Sequence, residues 1–140
     1  MRKSIYFSGA HFHDLQLRFE SIQNIEDSKV GYLNGTKAFP TYEEVLQDTT
    51  GHAMALKVIF DDSVISVHEL VEAYLDCIKP MDNRPNYLRK GIYYDDLLDG
   101  VEAEVALVEH LGKDHHIDIL KCCNFFPAEI SHQHYLSKKN

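Results

Sequence analysis

The sequence predicts an α/β fold: a two-layer sandwich with a mixed sheet, built on a ferredoxin-like, split-βαβ core. Two observations point to it. The hydrophobic period switches repeatedly between two and 3.6 along the chain. Strand-like and helix-like segments also interleave irregularly, in the order β-α-β-(short α)-β-α-β-α-β. With 140 residues, 44% of them apolar, the chain can bury one core without staples, and residues 1–140 are read as a single domain.

Each element has a local cause. Ser4–Ser8 carries Ile5, Tyr6 and Phe7 as a short strand, and Gly9-Ala10 breaks it. Phe12, Leu15, Phe19 and Ile22 fall on one face of a helix. Ile25–Leu33 reads as a weak strand and Asn34-Gly35 as a turn. Thr41-Tyr42-Glu43-Glu44 fits a capping box behind Pro40, opening a helix that Gly51 keeps short. Ala53–Phe60 alternates and ends in Val58-Ile59-Phe60, as a central strand does, and Asp61-Asp62-Ser63 turns the chain. Ser66-Val67-His68-Glu69 is a second capping box. Behind it, Val67, Leu70, Val71, Tyr74, Leu75 and Ile78 form the clearest amphipathic helix of the sequence. Pro80 and Pro85 bracket a loop, and Gly91–Tyr94 is a short strand. Val101, Val105, Val108 and Leu111 mark a third helix, with Gly112 as its C′ residue. Ile117 and Ile119 belong to a last strand, and Phe125-Phe126-Pro127 leads into a polar tail.

Composition excludes several function classes. A net charge of −8 argues against a nucleic-acid partner. No apolar run approaches the roughly 18–20 residues that cross a bilayer. Met1-Arg2-Lys3 is followed by no signal-peptide core. Three cysteines, an odd number with none before Cys77, argue against a disulfide framework and for a cytoplasmic protein. Nine histidines are many for this length.

Four segments, spread over residues 4–140, together resemble the peptide methionine-S-sulfoxide reductase (MsrA) family. Pro40-Thr41-Tyr42-Glu43-Glu44-Val45 followed by Thr49-Thr50-Gly51-His52-Ala53 is similar to its P-T-Y-x-E-V…T-G-H-A-E signature. Gly31-Tyr32 fits its G-Y-x-G-G turn in part. Phe126-Pro127-Ala128-Glu129, then His132-Gln133 and Tyr135-Leu136, is similar to its Y-P-A-E-x-x-H-Q-x-Y-L ending. Phe7-Ser8-Gly9-Ala10-His11-Phe12-His13 stands where the family carries F-x-G-G-C-F-W. The resemblance implies the same two-layer α/β sandwich. It also implies a chemistry in which a thiolate attacks the sulfoxide sulfur and a carboxylic acid protonates the oxygen. Two tyrosine hydroxyls hold that oxygen, an aromatic wall takes the S-methyl group, and a second thiol resolves the sulfenic acid.

Residue by residue, the nucleophile falls on His11. The aromatic wall falls on Phe12, retained, and on His13, which replaces a tryptophan. The acid of G-H-A-E falls on Met54, the glutamate of the first helix on Gln16, and the aspartate before G-T-Q-Y-R on Arg89. That motif is matched to Gly91-Ile92-Tyr93-Tyr94-Asp95, so its tyrosine is carried by Tyr94. Tyr42 keeps the other hydroxyl. The sequence stops at Asn140, where many members continue to resolving cysteines. An imidazole cannot be carried to the sulfenic level, and a thioether has no proton to give. These losses predict a pseudoenzyme with a His-rich pocket that binds a small molecule or peptide, requires no cofactor and does without thioredoxin.

Two alternatives stand beside this reading. His11, His13 and His52 would suit a transition-metal site and a repurposed, metal-assisted enzyme; otherwise His11 and His13 only line a polar pocket and His52 is a structural holdover. Residual reductase activity through Cys122 or Cys123 is the other, although Cys77 reads as a structural thiol and Cys122-Cys123 as one buried and one exposed residue. Arg89, a cation in place of a carboxylate, would favour an anionic ligand. His115-His116 and His132-x-His134 diverge and read as solvated, and His68 as an exposed helix position.

Overall fold

The computed structural model describes residues 1–79 and 83–138. Pro80, expected to open a loop, and Asn140 lie outside them. The elements are β1 (Arg2–Ser8), α1 (Phe12–Glu20), β2 (Ile25–Leu33), α2 (Tyr42–Leu46), β3 (Ala53–Asp61), α3 (Val67–Leu75), β4 (Gly91–Tyr94), α4 (Leu97–Leu111), β5 (Asp118–Lys121), β6 (Phe125–Pro127) and α5 (Tyr135–Lys138). Single 3₁₀ turns lie at Asn86–Leu88 and Ile130–His132.

The sheet is mixed, in the order β5-β4-β1-β3-β2-β6. β1 lies antiparallel to β3 and β4, β2 antiparallel to β3 and β6, and β4 parallel to β5. The inner order β4-β1-β3-β2 is the split-βαβ core the sequence predicts: α1 links β1 to β2 with β3 between them, and α3 links β3 to β4 with β1 between them. One face of the sheet packs under the helices, burying Phe7, Phe12, Phe19, Leu56, Phe60 and Tyr74 completely. Phe7 lies 5.2 Å from Phe19 and 5.0 Å from Tyr74, ring to ring, contacts worth about 0.5–1.5 kcal/mol each beyond their buried area. The other face buries a smaller set, Tyr6, Leu33, Ala55 and Tyr93, beneath Phe125 and Cys122.

Both predicted capping boxes form, Thr41 with Glu44 and Ser66 with Glu69, and Gly112 ends α4 at φ +85°. α4 forms as predicted, and it meets the sheet through its small residues. Val101, Val105 and Leu111 are about half exposed, whereas Gly100, Ala103, Ala106 and Leu107 face the sheet. Small residues let α4 approach closely: a Cβ on Gly100 would stand 2.5 Å from the Tyr94 ring. Phe125-Phe126-Pro127 forms the edge strand β6, and α5 stands where the sequence suggests only a polar tail. Among the described residues, no helix is long and apolar enough to cross a membrane.

The tail is fixed by two amides. Gln133 Oε1 accepts from the Val30 N–H at 2.9 Å, and Gln133 Nε2 donates to the Val30 and Ala128 carbonyls at 2.9 and 3.1 Å. The side chain thus imitates a strand residue beyond the three-residue β6. Buried Gln16 of α1 donates to Ser28 and accepts from the His134 N–H. Gln133→Leu should leave the Val30 N–H without its partner, while the Val30 carbonyl keeps the Ala128 N–H at 2.9 Å, and lower stability by about 1–3 kcal/mol, measured by urea denaturation; a loss below about 0.5 kcal/mol would contradict this role.

Candidate functional site

His11 is the N-cap residue of α1. Its Nδ1 accepts from the His13 N–H at 3.2 Å, and its Nε2 lies 2.9 Å from Tyr42 Oη. A ring that accepts at Nδ1 and is neutral carries its proton on Nε2, so Nε2 donates to the tyrosine. Burial holds the imidazole below its ordinary pKa, helped by His132 and opposed by Asp14. Both nitrogens are therefore committed, one to its own helix and one to α2.

Rings close over this pair. His13 stacks on Tyr135 at 4.3 Å, and His132 stacks on Tyr42 at 4.2 Å. His13 Nε2 and His132 Nδ1 share a hydrogen bond of 2.9 Å, and the Phe12 ring lies 5.9 Å from that of Tyr42. Glu129 adjoins the cluster. Its carboxylate accepts from Tyr32 Oη at 2.7 Å and from the Tyr42 N–H at 3.1 Å. Burial pushes its pKa up, but hydrogen bonds from its own N–H, Tyr32 and Tyr42 outweigh this and hold it below the usual carboxylate range. An acid held ionised has no proton to give, so Glu129 does not replace the acid missing at Met54. Met54 itself is fully buried in the main core, paired with Tyr32 across the sheet.

The structure gathers His11, Phe12, His13 and Tyr42, and separates three other candidate residues from them. Tyr94 pairs with Ile5, away from the Gly91–Ser8 end of β4 that adjoins the site, and its ring lies over Gly100 of α4. Burial raises the Tyr42 hydroxyl above its ordinary pKa, and the tyrosines that add to this are Tyr87, from the 3₁₀ turn before β4, and Tyr135 of α5. Arg89 spends its guanidinium on the Gly51 and Asn86 carbonyls at 2.9 and 3.1 Å, so it braces loops rather than meeting an anion. His52 is no partner of His11 and His13. Its Nδ1 accepts from the Gly35 N–H and its Nε2 donates to the Lys37 carbonyl, at 2.9 and 2.7 Å. The Gly35 loop approaches so closely that a Cβ there would stand 2.4 Å from the ring. Among the described residues, the metal-ligating atoms of His11, His13 and His52 do not gather within 4.8 Å of one another.

The C-terminal segment supplies three residues that the sequence leaves solvated or unmarked. His132 and Tyr135 complete the ring cluster, and Glu129 holds two of its neighbours in place. Their signal lies in the stretch similar to Y-P-A-E-x-x-H-Q-x-Y-L. His134, expected to be solvated, pairs with Glu20 at 2.5 Å, and His115 with Glu104 at 3.0 Å. Beside His11, a cleft of about 380 Å³ is lined by Asp14, Arg18, Asp76, Cys77, Lys79 and Arg84, among others. Burial pushes the Cys77 thiol up to about 11; the Cys122 thiol, just after β5, is pushed up to about 11 for the same reason.

The sequence model of the family described as "Peptide methionine sulfoxide reductase" matches residues 3–140. The chain is 36% identical to the peptide methionine sulfoxide reductase MsrA of Lachnoclostridium phytofermentans, over 99% of this chain and 89% of that protein. Among solved structures, reduced Mxr1 from Saccharomyces cerevisiae superposes with a TM-score of 0.83, at 24% identity, over 98% of this chain and 85% of that one. Mxr1 is also solved in complex with Trx2, with a TM-score of 0.60 at 21% identity, over 96% of this chain and 84% of that one. That complex overturns the expectation of thioredoxin independence, because a protein of this fold is found bound to a thioredoxin. With the family model spanning nearly all of the sequence, the chain belongs to the peptide methionine sulfoxide reductase family.

Proposed function

We propose that this family member has lost thiol-based methionine-S-sulfoxide reduction and keeps the site for binding a peptide or small molecule, in a regulatory role. The observation that carries the reading is His11. It stands where the family nucleophile falls, has no sulfur to oxidise, and has both ring nitrogens engaged. The stacked rings of His13, His132, Tyr42 and Tyr135 support it, because they pack around His11 at the position where the family nucleophile falls. The cleft beside His11 remains open, and its mixed charges suit a polar peptide. A second reading rests on Cys77: it lines that cleft, so a relocated thiol could attack from there, but a pKa of about 11 leaves little thiolate near neutral pH.

A peptide containing methionine-S-sulfoxide, incubated with the protein and either dithiothreitol or a thioredoxin system, tests both. We expect no turnover above the protein-free blank in either arm. Turnover lost in His11→Ala would overturn the proposal, and turnover lost in Cys77→Ser would establish the second reading.

His11 also sets a pH dependence. Its folded pKa lies below the unfolded value of 6.5, so on acidification the unfolded chain takes up a proton that the folded ring refuses. Stability therefore falls as pH drops from about 7.5 to 5.5. His11→Asn keeps an N-cap acceptor and removes this titration. Its urea midpoint should fall less than the parent's over that range, and an equal fall would contradict a neutral, buried His11.

A further inference from the structure

Away from the ring cluster, between α3 and α4, a second set of histidines converges. His68 lies in the first turn of α3 and Glu72 one turn later, four residues on, so both project from one face of the helix. His110 lies in the last turn of α4, preceded by Glu109. The ligating atoms of His68, Glu72 and His110 all lie within 4.8 Å of one another. His68 Nε2 stands 3.5 Å from Glu109 Oε2, and His110 Nε2 stands 3.6 Å from Glu72 Oε2. The two imidazoles are 5.7 Å apart, centre to centre.

We propose that His68, Glu72 and His110, with Glu109 beside them, bind a divalent transition-metal cation of the zinc type that ties α3 to α4. Three features carry this. The donor chemistry, two imidazoles and carboxylate oxygen, is the set that zinc, copper and nickel prefer over magnesium or calcium. The geometry is close to what a metal requires. Bonds of about 2.0–2.1 Å place tetrahedral donors about 3.4 Å apart, and two donor pairs already stand at 3.5 and 3.6 Å. The remaining gap closes by side-chain rotation, since the histidine side chains are 35% and 38% exposed and need no backbone shift.

The rings are also free to ligate. Among the described residues, no backbone group holds a ring nitrogen of His68 or His110, in contrast to His11 and His52. The carboxylates at 3.5 and 3.6 Å are too distant to be well hydrogen-bonded, and a cation between them would draw all four groups inward. The start of α3 is already fixed on α4, because the His68 N–H donates to Glu102 Oε2 at 2.9 Å.

The test uses full-length protein with no affinity tag, stripped with chelator and titrated with zinc chloride by calorimetry. We expect one zinc per chain at micromolar affinity, weakened about tenfold or more by His68→Ala and by His110→Ala. The double substitution His13→Ala/His132→Ala should leave binding unchanged. Zinc should raise the melting temperature of the parent and not of His68→Ala, while the metal-free melting temperature of each variant reports its fold. Glu72→Gln, nearly isosteric, should also weaken binding should either histidine variant prove unstable. Absence of stoichiometric binding, binding that survives His68→Ala and His110→Ala, or binding lost instead with His13 and His132 would overturn the proposal.

Discussion

The side-chain amide of Gln133 is the contact on which the site depends. β6 is only three residues long, too short to fix the path of the chain beyond it. By matching both the N–H and the carbonyl of Val30, Gln133 extends the edge of the sheet with a side chain in place of a backbone. The chain is then committed in direction on both sides of that residue. His132, one position before, lands on Tyr42, and Tyr135, two positions after, lands on His13. Gln16 completes the attachment from α1 by receiving the His134 N–H. Each amide makes more than one hydrogen bond, and leaving their partners unmet would cost more than any single bond contributes.

The same scaffold sets how a histidine behaves at the position where the family nucleophile falls. The N-cap of α1 is a place where helix N–H groups and the positive end of the helix dipole favour negative charge. A thiol there would have its pKa lowered toward the reactive thiolate. An imidazole in the same field is disfavoured in its charged form, and burial pushes it the same way. One electrostatic environment thus activates sulfur and neutralises histidine. The neutral ring then finds the two partners nearest to it, the His13 N–H and the Tyr42 hydroxyl, and satisfies itself.

Much of the fold is legible in the sequence because it rests on local rules. Thr41 and Ser66 announce their helices by capping chemistry, Gly112 ends α4 by its positive φ, and the apolar run Val58-Ile59-Phe60 marks β3 as an inner strand buried on both faces. The illegible parts depend on long-range packing. α4 presents Gly100, Ala103 and Ala106 inward, and no hydropathy stripe marks a face selected for smallness, while its apolar stripe at Val101, Val105 and Leu111 is left about half exposed. Tyr94 is the motif match within a run rich in tyrosine, and only the register with β1 and the close approach of Gly100 show that it lies away from the site. The spacing of His132 and His134 diverges on a regular helix, whereas the chain passes from a 3₁₀ turn through a residue at positive φ into α5.

Histidine count says little about ligand chemistry; what matters is which ring nitrogens the backbone has left available. His52 spends both on the loop at Gly35 and Lys37, and His11 spends both on His13 and Tyr42. His115 takes the Ile117 N–H on one nitrogen and faces Glu104 with the other. Each of these rings is structural in the same sense as a capping serine: it meets a backbone group or a fixed side chain that would otherwise be unsatisfied. His68 and His110 differ because they face each other across two helices whose backbone bonds are already made within the helices. Their carboxylate neighbours stand at distances too long for a good hydrogen bond and close to the edge of a metal's coordination polyhedron. Chelating pairs sought along the chain lead to His11-x-His13. The fold commits both nitrogens of His11 and the Nε2 of His13 to hydrogen bonds, and assembles the better donor set from two helices that the sequence keeps far apart.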